Sequence, residues 1–293
     1  MITLLCAALC CGTAVSAAAQ TAGGERTPRN LYEEGERLFD RQAYSASLAP
    51  LRAFLRQTDE KGADASQTSC RMEAEYMLAC AAYELEDADR LKQLADFLNR
   101  YPDAPHANRI RALVASVLFY DKDYAGALEH FDRVRFETLS VADRDDMTYR
   151  RALCSLKTGD LSQASVWFKT LQALSPGYGA DCAYYLAYIR YTQKDYDRAL
   201  DGFLSLQSDA KYGLLVPYYI AEIHLACGRY GEAAAVAERY IAAHPRQENV
   251  GEMHRVLGTA RYYAGDYRQA REPFAAYRRL LPSGETPRRD ALY

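Results

Sequence analysis

Along this chain one pattern of polar, aromatic and small positions returns again and again: Asp-Tyr-x-x-Ala-x-x-x-Phe. It stands as Asp123-Tyr124, Ala127 and Phe131; as Asp160-Leu161, Ala164 and Phe168; as Asp195-Tyr196, Ala199 and Phe203; and as Asp266-Tyr267, Ala270 and Phe274. Weaker copies are Tyr44, Ser47 and Leu51 near the start, and Tyr230, Ala233 and Ala237 later. From position 124 the first aromatic site recurs at 161, 196, 230 and 267, steps of 37, 35, 34 and 37 residues. The interval from Tyr44 to Tyr124 leaves room for one further unit, placed over Glu75 to Pro102. Such periods indicate stacked supersecondary units, each too small to bury its own apolar face.

Each unit has a first half with one small residue where two helices would meet: Gly35, Ala79, Ala115, Ala152, Ala187, Ala221 and Gly258. Small residues there and at the motif Ala let two helices approach, while the motif Phe fills the space between hairpins. The second helix of a unit then stops near a proline, at Pro102, Pro176, Pro245 or Pro282, because proline lacks an N–H and fixes φ. The prediction is an all-α chain of seven helical hairpins spanning residues 28–282.

These residues resemble the tetratricopeptide repeat family, whose 34-residue unit carries small, aromatic, Ala, Phe and Pro positions in this order. The resemblance covers Pro28 to Pro282 and implies an α-solenoid, a right-handed superhelix. The family's early Trp is missing, and the second unit lacks its aromatic and Ala positions. In the family a concave groove is lined by first-helix side chains. Carrying that phase over places Tyr32, Tyr76, Tyr83, Tyr120, Tyr149, Tyr184, Tyr188, Tyr191, Tyr218, Tyr262 and Tyr263 on one surface. Tyr149, Tyr184, Tyr188, Tyr191, Tyr218, Tyr120 and Tyr262 are the candidate partner-binding residues, and Tyr184, Tyr188 and Tyr191 form a single helical stripe. Tyrosine offers stiff contact area and a hydroxyl that can pair. The plainer reading is that such rings wedge between adjacent hairpins. The junction from Phe97 to Ala107 also resembles those of bacterial envelope repeat proteins, including outer-membrane-assembly factors.

Composition sharpens the picture. There are 24 Tyr against 9 Phe and 1 Trp, so aromatic bulk is supplied mainly by a residue with a polar tip. Lys and Arg number 36 against 39 Asp and Glu, a net charge of -3, which excludes the basic field that nucleic-acid binding needs. Groove positions in the middle of the array, Asp146, Asp181 and Glu222, are acidic and suggest a partner carrying some Lys or Arg.

Residues 1–19 carry no charged side chain, hold an apolar centre and end in small residues, with Ala17 and Ala19 meeting the small-x-small rule. They are expected to be a signal peptide, followed by a flexible linker over residues 20–27, which makes the mature protein exported, to the periplasm. A transmembrane anchor is the other reading, but Ala, Ser and Thr dilute the stretch. Residues 283–293 are expected to be a tail or the start of a truncated further repeat. Cys70, Cys80, Cys154, Cys182 and Cys227 show no metal or redox spacing and are expected to be buried free thiols.

The five histidines match no metal-ligand spacing, and no nucleophile elbow, phosphate loop or dinucleotide fingerprint is present. Acidic pairs such as Glu33-Glu34 suit helix termini. The expectation is a non-catalytic protein-protein interaction scaffold in the cell envelope, with no cofactor and no metal, binding a peptide or partner protein. A carbohydrate- or peptidoglycan-binding module, and the repeat arm of a longer enzyme, are the alternatives.

Overall fold

Every copy of the motif begins a helix, and the short turn before it makes that helix one arm of a hairpin. The computed structural model describes residues 27–61 and 65–281, and among them all regular elements are helices. The signal-peptide and tail expectations fall outside these residues.

The chain divides into two compact units at Leu85/Glu86. In the first, α1 (Pro28–Asp40) and α2 (Tyr44–Lys61) form a hairpin against which α3 (Ala65–Glu84) packs. Thr27 caps α1, its hydroxyl accepting from the Asn30 backbone N–H ahead of a proline at the first helical position. The second unit holds α4 (Arg90–Arg100), α5 (Ala107–Tyr120), α6 (Tyr124–Phe131), α7 (Val141–Lys157), α8 (Leu161–Leu174), α9 (Gly179–Thr192) and α10 (Tyr196–Leu204). It continues with α11 (Val216–Ala226), α12 (Tyr230–Ala243), α13 (Val250–Tyr263) and α14 (Tyr267–Leu280). There α5/α6, α7/α8, α9/α10, α11/α12 and α13/α14 are hairpins stacked in sequence order, an α-solenoid arrangement. The repeat expected over Glu75 to Pro102 contributes α3 to one unit and α4 to the other.

The small positions do what their size suggests. Ala79, Ala115, Ala152, Ala187 and Ala221 are buried. A Cβ added at Gly35 would lie 2.5 Å from Leu51, and one at Gly258 2.7 Å from the Phe274 ring. Phe131, Phe168 and Phe203 are fully buried, and the preceding Ala127, Ala164 and Ala199 with them. The first aromatic of the motif meets the last turn of the helix before it. Ring centroids lie 5.4 Å apart in Phe39–Tyr44, 6.0 Å in Phe119–Tyr124, 6.1 Å in Tyr191–Tyr196 and 5.2 Å in Tyr262–Tyr267. Aromatic pairs at such distances add about 0.5–1.5 kcal/mol each beyond area burial.

Pro102, Pro176 and Pro245 follow the ends of α4, α8 and α12. Pro50 and Pro273, by contrast, lie inside α2 and α14. Pro273 offers no N–H to the Gln269 carbonyl four residues earlier, and the Arg261 guanidinium donates to that oxygen at 3.1 Å. Of the five cysteines, Cys80, Cys154 and Cys182 are buried as free thiols, while Cys227 is exposed where α11 gives way to the turn, so the expectation of burial fails there. Burial pushes the Cys154 and Cys182 thiols up to about 12, well away from reactive thiolate.

The turns before these motif helices each hold one residue in the left-handed region, two positions before the helix begins: Gln42, Lys122, Gly159, Lys194, Gly228 and Gly265. At Lys122 and Lys194 the next N–H donates back to the carbonyls of Leu118 and Arg190, closing the helix end. A side chain with a Cβ costs about 1 kcal/mol there, part of which glycine returns through its freer unfolded chain. Lys194→Gly should therefore raise unfolding stability by about 0.5 kcal/mol, with Lys122→Gly similar, as read from the urea midpoint.

His130, His224 and His254 each bury an Nδ1 atom that has no partner among the described residues. Burial is the main cause that holds all three below the ordinary histidine pKa, with Arg133 and Arg111 adding to it at His130, Arg229 at His224 and Arg279 at His254. The folded chain thus takes up these protons at lower pH than the unfolded chain. Stability is fully present above about pH 6.5 and is lost as pH falls below it. Urea titrations at pH 7.5 and pH 5 should show the loss, and replacing the three residues by Leu should flatten the slope.

Candidate partner-binding site

Three hairpins of the second unit bring tyrosines from α7, α9 and α11 together, and the connection between α10 and α11 adds another. Asp181, in the first turn of α9, organises one end. Its carboxylate accepts from Lys211 Nζ at 2.5 Å and from the Tyr212 hydroxyl at 2.7 Å, with the Tyr149 hydroxyl 3.5 Å away. Burial works against the Asp181 charge, but the Lys211 and Tyr212 bonds outweigh it and hold the carboxyl below its usual range. Tyr212, so fixed, stacks on Tyr184 at 4.4 Å and 14°. Tyr184 is only 8% exposed, and burial followed by its bond to Tyr219 raises its pKa strongly.

Two further tyrosines act as wedges between hairpins. Tyr185 stacks on Phe168 at 4.9 Å and Tyr219 on Phe203 at 4.8 Å, both within 10° of parallel. Each is a first-helix ring lying against the motif Phe of the hairpin before it. Tyr219 is the centre of the cluster. It accepts a hydrogen bond from the Tyr184 hydroxyl at 3.2 Å, and Tyr188, Tyr191 and Tyr218 meet its ring edge-on at 5.9, 5.6 and 5.3 Å. Burial, then Glu222, pushes the Tyr191 hydroxyl up to about 12.

Beside these rings lies a cavity of about 560 Å³, within the range of ligand pockets. Tyr184, Tyr185, Tyr188 and Tyr219 line it together with Leu156, Lys157, Gly159, Leu161 and Thr192. No carboxylate among the described residues lines it. Asp181 is held as described, Asp146 pairs with Arg150 at 2.6 Å, and Glu222 and Glu252 both pair with Arg255, which is buried. The acidity read from the sequence at these positions is thus neutralised within the fold, and the charged side chain lining the cavity is Lys157.

Of the residues expected to bind a partner, Tyr184 and Tyr188 line the cavity, Tyr191 and Tyr218 contact its lining residue Tyr219, and Tyr149 contacts its lining residue Tyr185. Tyr120 and Tyr262 lie elsewhere. Tyr120 is 58% exposed beneath the Arg150 guanidinium at 4.8 Å, and Tyr262 is 38% exposed in its pairing with Tyr267. In the first unit, Tyr76 is buried and Tyr32 donates to Glu36 at 2.9 Å. The phase carried over from the family passed by Tyr185, Tyr219, Tyr212 and Lys157. Tyr185 and Tyr219 follow Phe168 and Phe203 by 17 and 16 residues, a spacing that could have flagged them. Tyr212 has no repeat counterpart to announce it.

No protein-family profile matches the chain, and no curated protein is similar to it in sequence. Solved structures do match. MamA residues 41 to the end from Desulfovibrio magneticus is 16% identical, covering 61% of this chain and 97% of that one at a TM-score of 0.52. A double mutant of MamA RS-1 gives 14%, 59%, 93% and 0.51, and a further MamA structure 14%, 63%, 100% and 0.50. The fold is of the tetratricopeptide-repeat type. At these identities the likeness speaks for the hairpin repeat and for nothing bound to it.

Tyr212 and Asp181 should be coupled in the native state. Tyr212→Phe removes one charge-assisted bond and should cost about 1.5 kcal/mol, while Asp181→Ala, which leaves the buried Tyr212 hydroxyl without its acceptor, should cost about 2–3 kcal/mol. The double variant should fall short of the sum, as a urea-denaturation cycle would read.

Proposed function

We propose that this chain is a non-catalytic scaffold that holds an extended segment of a partner protein against the tyrosine-walled cavity of the second unit. The observation carrying this reading is the wall itself: four tyrosines from two successive hairpins, held rigid because Tyr185 and Tyr219 stack on motif phenylalanines, Tyr184 stacks on Tyr212 and Tyr188 stands edge-on to Tyr219, around a cavity that no carboxylate lines among the described residues. Rigid aromatic surface with few competing charges is what a buried interface centre uses. A sugar site would be better served by carboxylates that accept from hydroxyls, so a polypeptide is the better fit. The uncharged, small-residue-terminated N-terminus supports export, which makes the periplasm and its envelope assemblies the place of action.

Tyr188 is the residue at which to test this, because it lines the cavity without being buried in the core, whereas Tyr184 would leave a hole. A photoreactive phenylalanine analogue at position 188 should crosslink, in cells, to one polypeptide at a defined segment, and Lys157→Ala should reduce that crosslink. Crosslinking to glycan strands, or to no partner at all, would overturn the reading.

A further inference from the structure

The turn between α7 and α8 serves two cavities. Gly159 and Leu161 line the tyrosine cavity, while Thr158 and Asp160 line a second one of about 320 Å³, at the lower end of the range of ligand pockets. This second cavity opens beside the last turn of α6, a helix of 8 residues where α8 has 14. The polypeptide reading makes no use of it.

Its lining keeps polar capacity that the fold does not spend. Ser155 is only 2% exposed and lines the cavity, yet its hydroxyl has no hydrogen-bond partner among the described residues. Arg151 gives Nη2 to Asp132, and its buried Nε finds no acceptor among the described residues. Oδ1 of Asp160 accepts from the Gln163 backbone N–H at 2.9 Å as the cap of α8, which leaves Asp160 Oδ2 and the Gln163 side-chain amide without partners among the described residues. The formal charges cancel locally, Asp132 against Arg151 and Asp160 against the positive end of α8, so an ion would meet no uncompensated counter-charge.

Water would satisfy these groups, but the lining is also apolar. It includes Leu128 and Trp167, the only tryptophan of the chain. The Arg151 guanidinium lies 3.9 Å from the Trp167 ring and 5.4 Å from the Phe136 ring, with the two rings 6.1 Å apart. Cation and second ring thus crowd the same side of the indole and hold it in place.

We propose that this cavity binds one ring of a neutral sugar. Every sugar hydroxyl both donates and accepts, and the lining holds both senses: carboxylate and amide oxygens that accept, with amide, hydroxyl and guanidinium groups that donate. The C–H surface of the ring covers the apolar part. A peptide backbone brings one donor and one acceptor for each step of about 3.3 Å, too sparse for polar groups gathered around so small a space.

The full chain titrated with the methyl glycosides of glucose, galactose and N-acetylglucosamine, beside Nα-acetyl-lysine amide as a cationic control, tests this through the emission of Trp167, excited where tyrosine does not absorb. At least one glycoside should change the emission saturably with a midpoint of about 1 mM or tighter, and the lysine amide should not. Asp160→Asn keeps a capping residue and loses the charge; it and Gln163→Ala should each weaken that glycoside about fivefold with the far-ultraviolet circular dichroism unchanged. A response to none of the glycosides would mean that the cavity holds water only, and tighter binding of the lysine amide would make it a site for a basic side chain. Either result overturns the inference, as does a glycoside response indifferent to both substitutions. The position-188 crosslink reads the other cavity, so its failure leaves this inference standing.

Discussion

In each hairpin the two helices meet at a side chain no larger than a methyl group, and the rest of the structure depends on that closeness. At Gly258 not even a methyl group fits, since its Cβ would fall within 2.7 Å of Phe274. At Ala187 the neighbouring arm answers with Gly202, where an added Cβ would stand 2.8 Å from the alanine. The motif Phe spans this seam: Phe274 lies against Gly258 within its own hairpin, while Phe168 and Phe203 also turn a ring face outward, to where the next hairpin packs.

That outward Phe is what makes tyrosines useful. Phe168 and Phe203 each present a flat ring to the following first helix, and Tyr185 and Tyr219 lie on them nearly parallel. A tyrosine in that place is core along its ring and polar at its tip, so the stack that joins hairpins also delivers hydroxyls to the surface. Tyr184, locked between Tyr212 and Tyr219, and Tyr188, set across Tyr219, complete the wall. Packing and candidate recognition are thus two ends of the same side chains. This is why Tyr184, with 8% exposure, can line a cavity and yet belong to the core.

The Asp181 cluster gives the wall its rigidity from outside the repeat. Lys211 and Tyr212 come from the connection that follows α10, a helix of only 9 residues. The shortened arm leaves chain free to fold back over α9, and the carboxylate of Asp181 is where it fastens. Arg255 plays a comparable part further along, gathering Glu222 and Glu252 where little water reaches. Such pairs consume the acidic side chains that would otherwise define the surface, leaving Lys157 as the charge beside the cavity.

The sequence by itself determined the hairpins. Recurring Ala and Phe positions, the small residues at Gly35, Ala79, Ala115, Ala152, Ala187, Ala221 and Gly258, and prolines after α4, α8 and α12 are local signals, because helix contact and helix termination act over a few residues. It also pointed to a tyrosine-rich surface and named Tyr184 and Tyr188 within it. Only the tertiary structure decided which tyrosines meet. Tyr185 and Tyr219 are chosen by the Phe of another hairpin, Tyr212 by an irregular connection, and Tyr191 and Tyr262 are drawn into aromatic pairs that staple their own turns. The net charge at the cavity likewise depends on ion pairs spanning about thirty residues. Such partners are fixed by how hairpins stack, and a pattern with a period of 34 to 37 residues records the stacking element without recording what each copy touches across the interface.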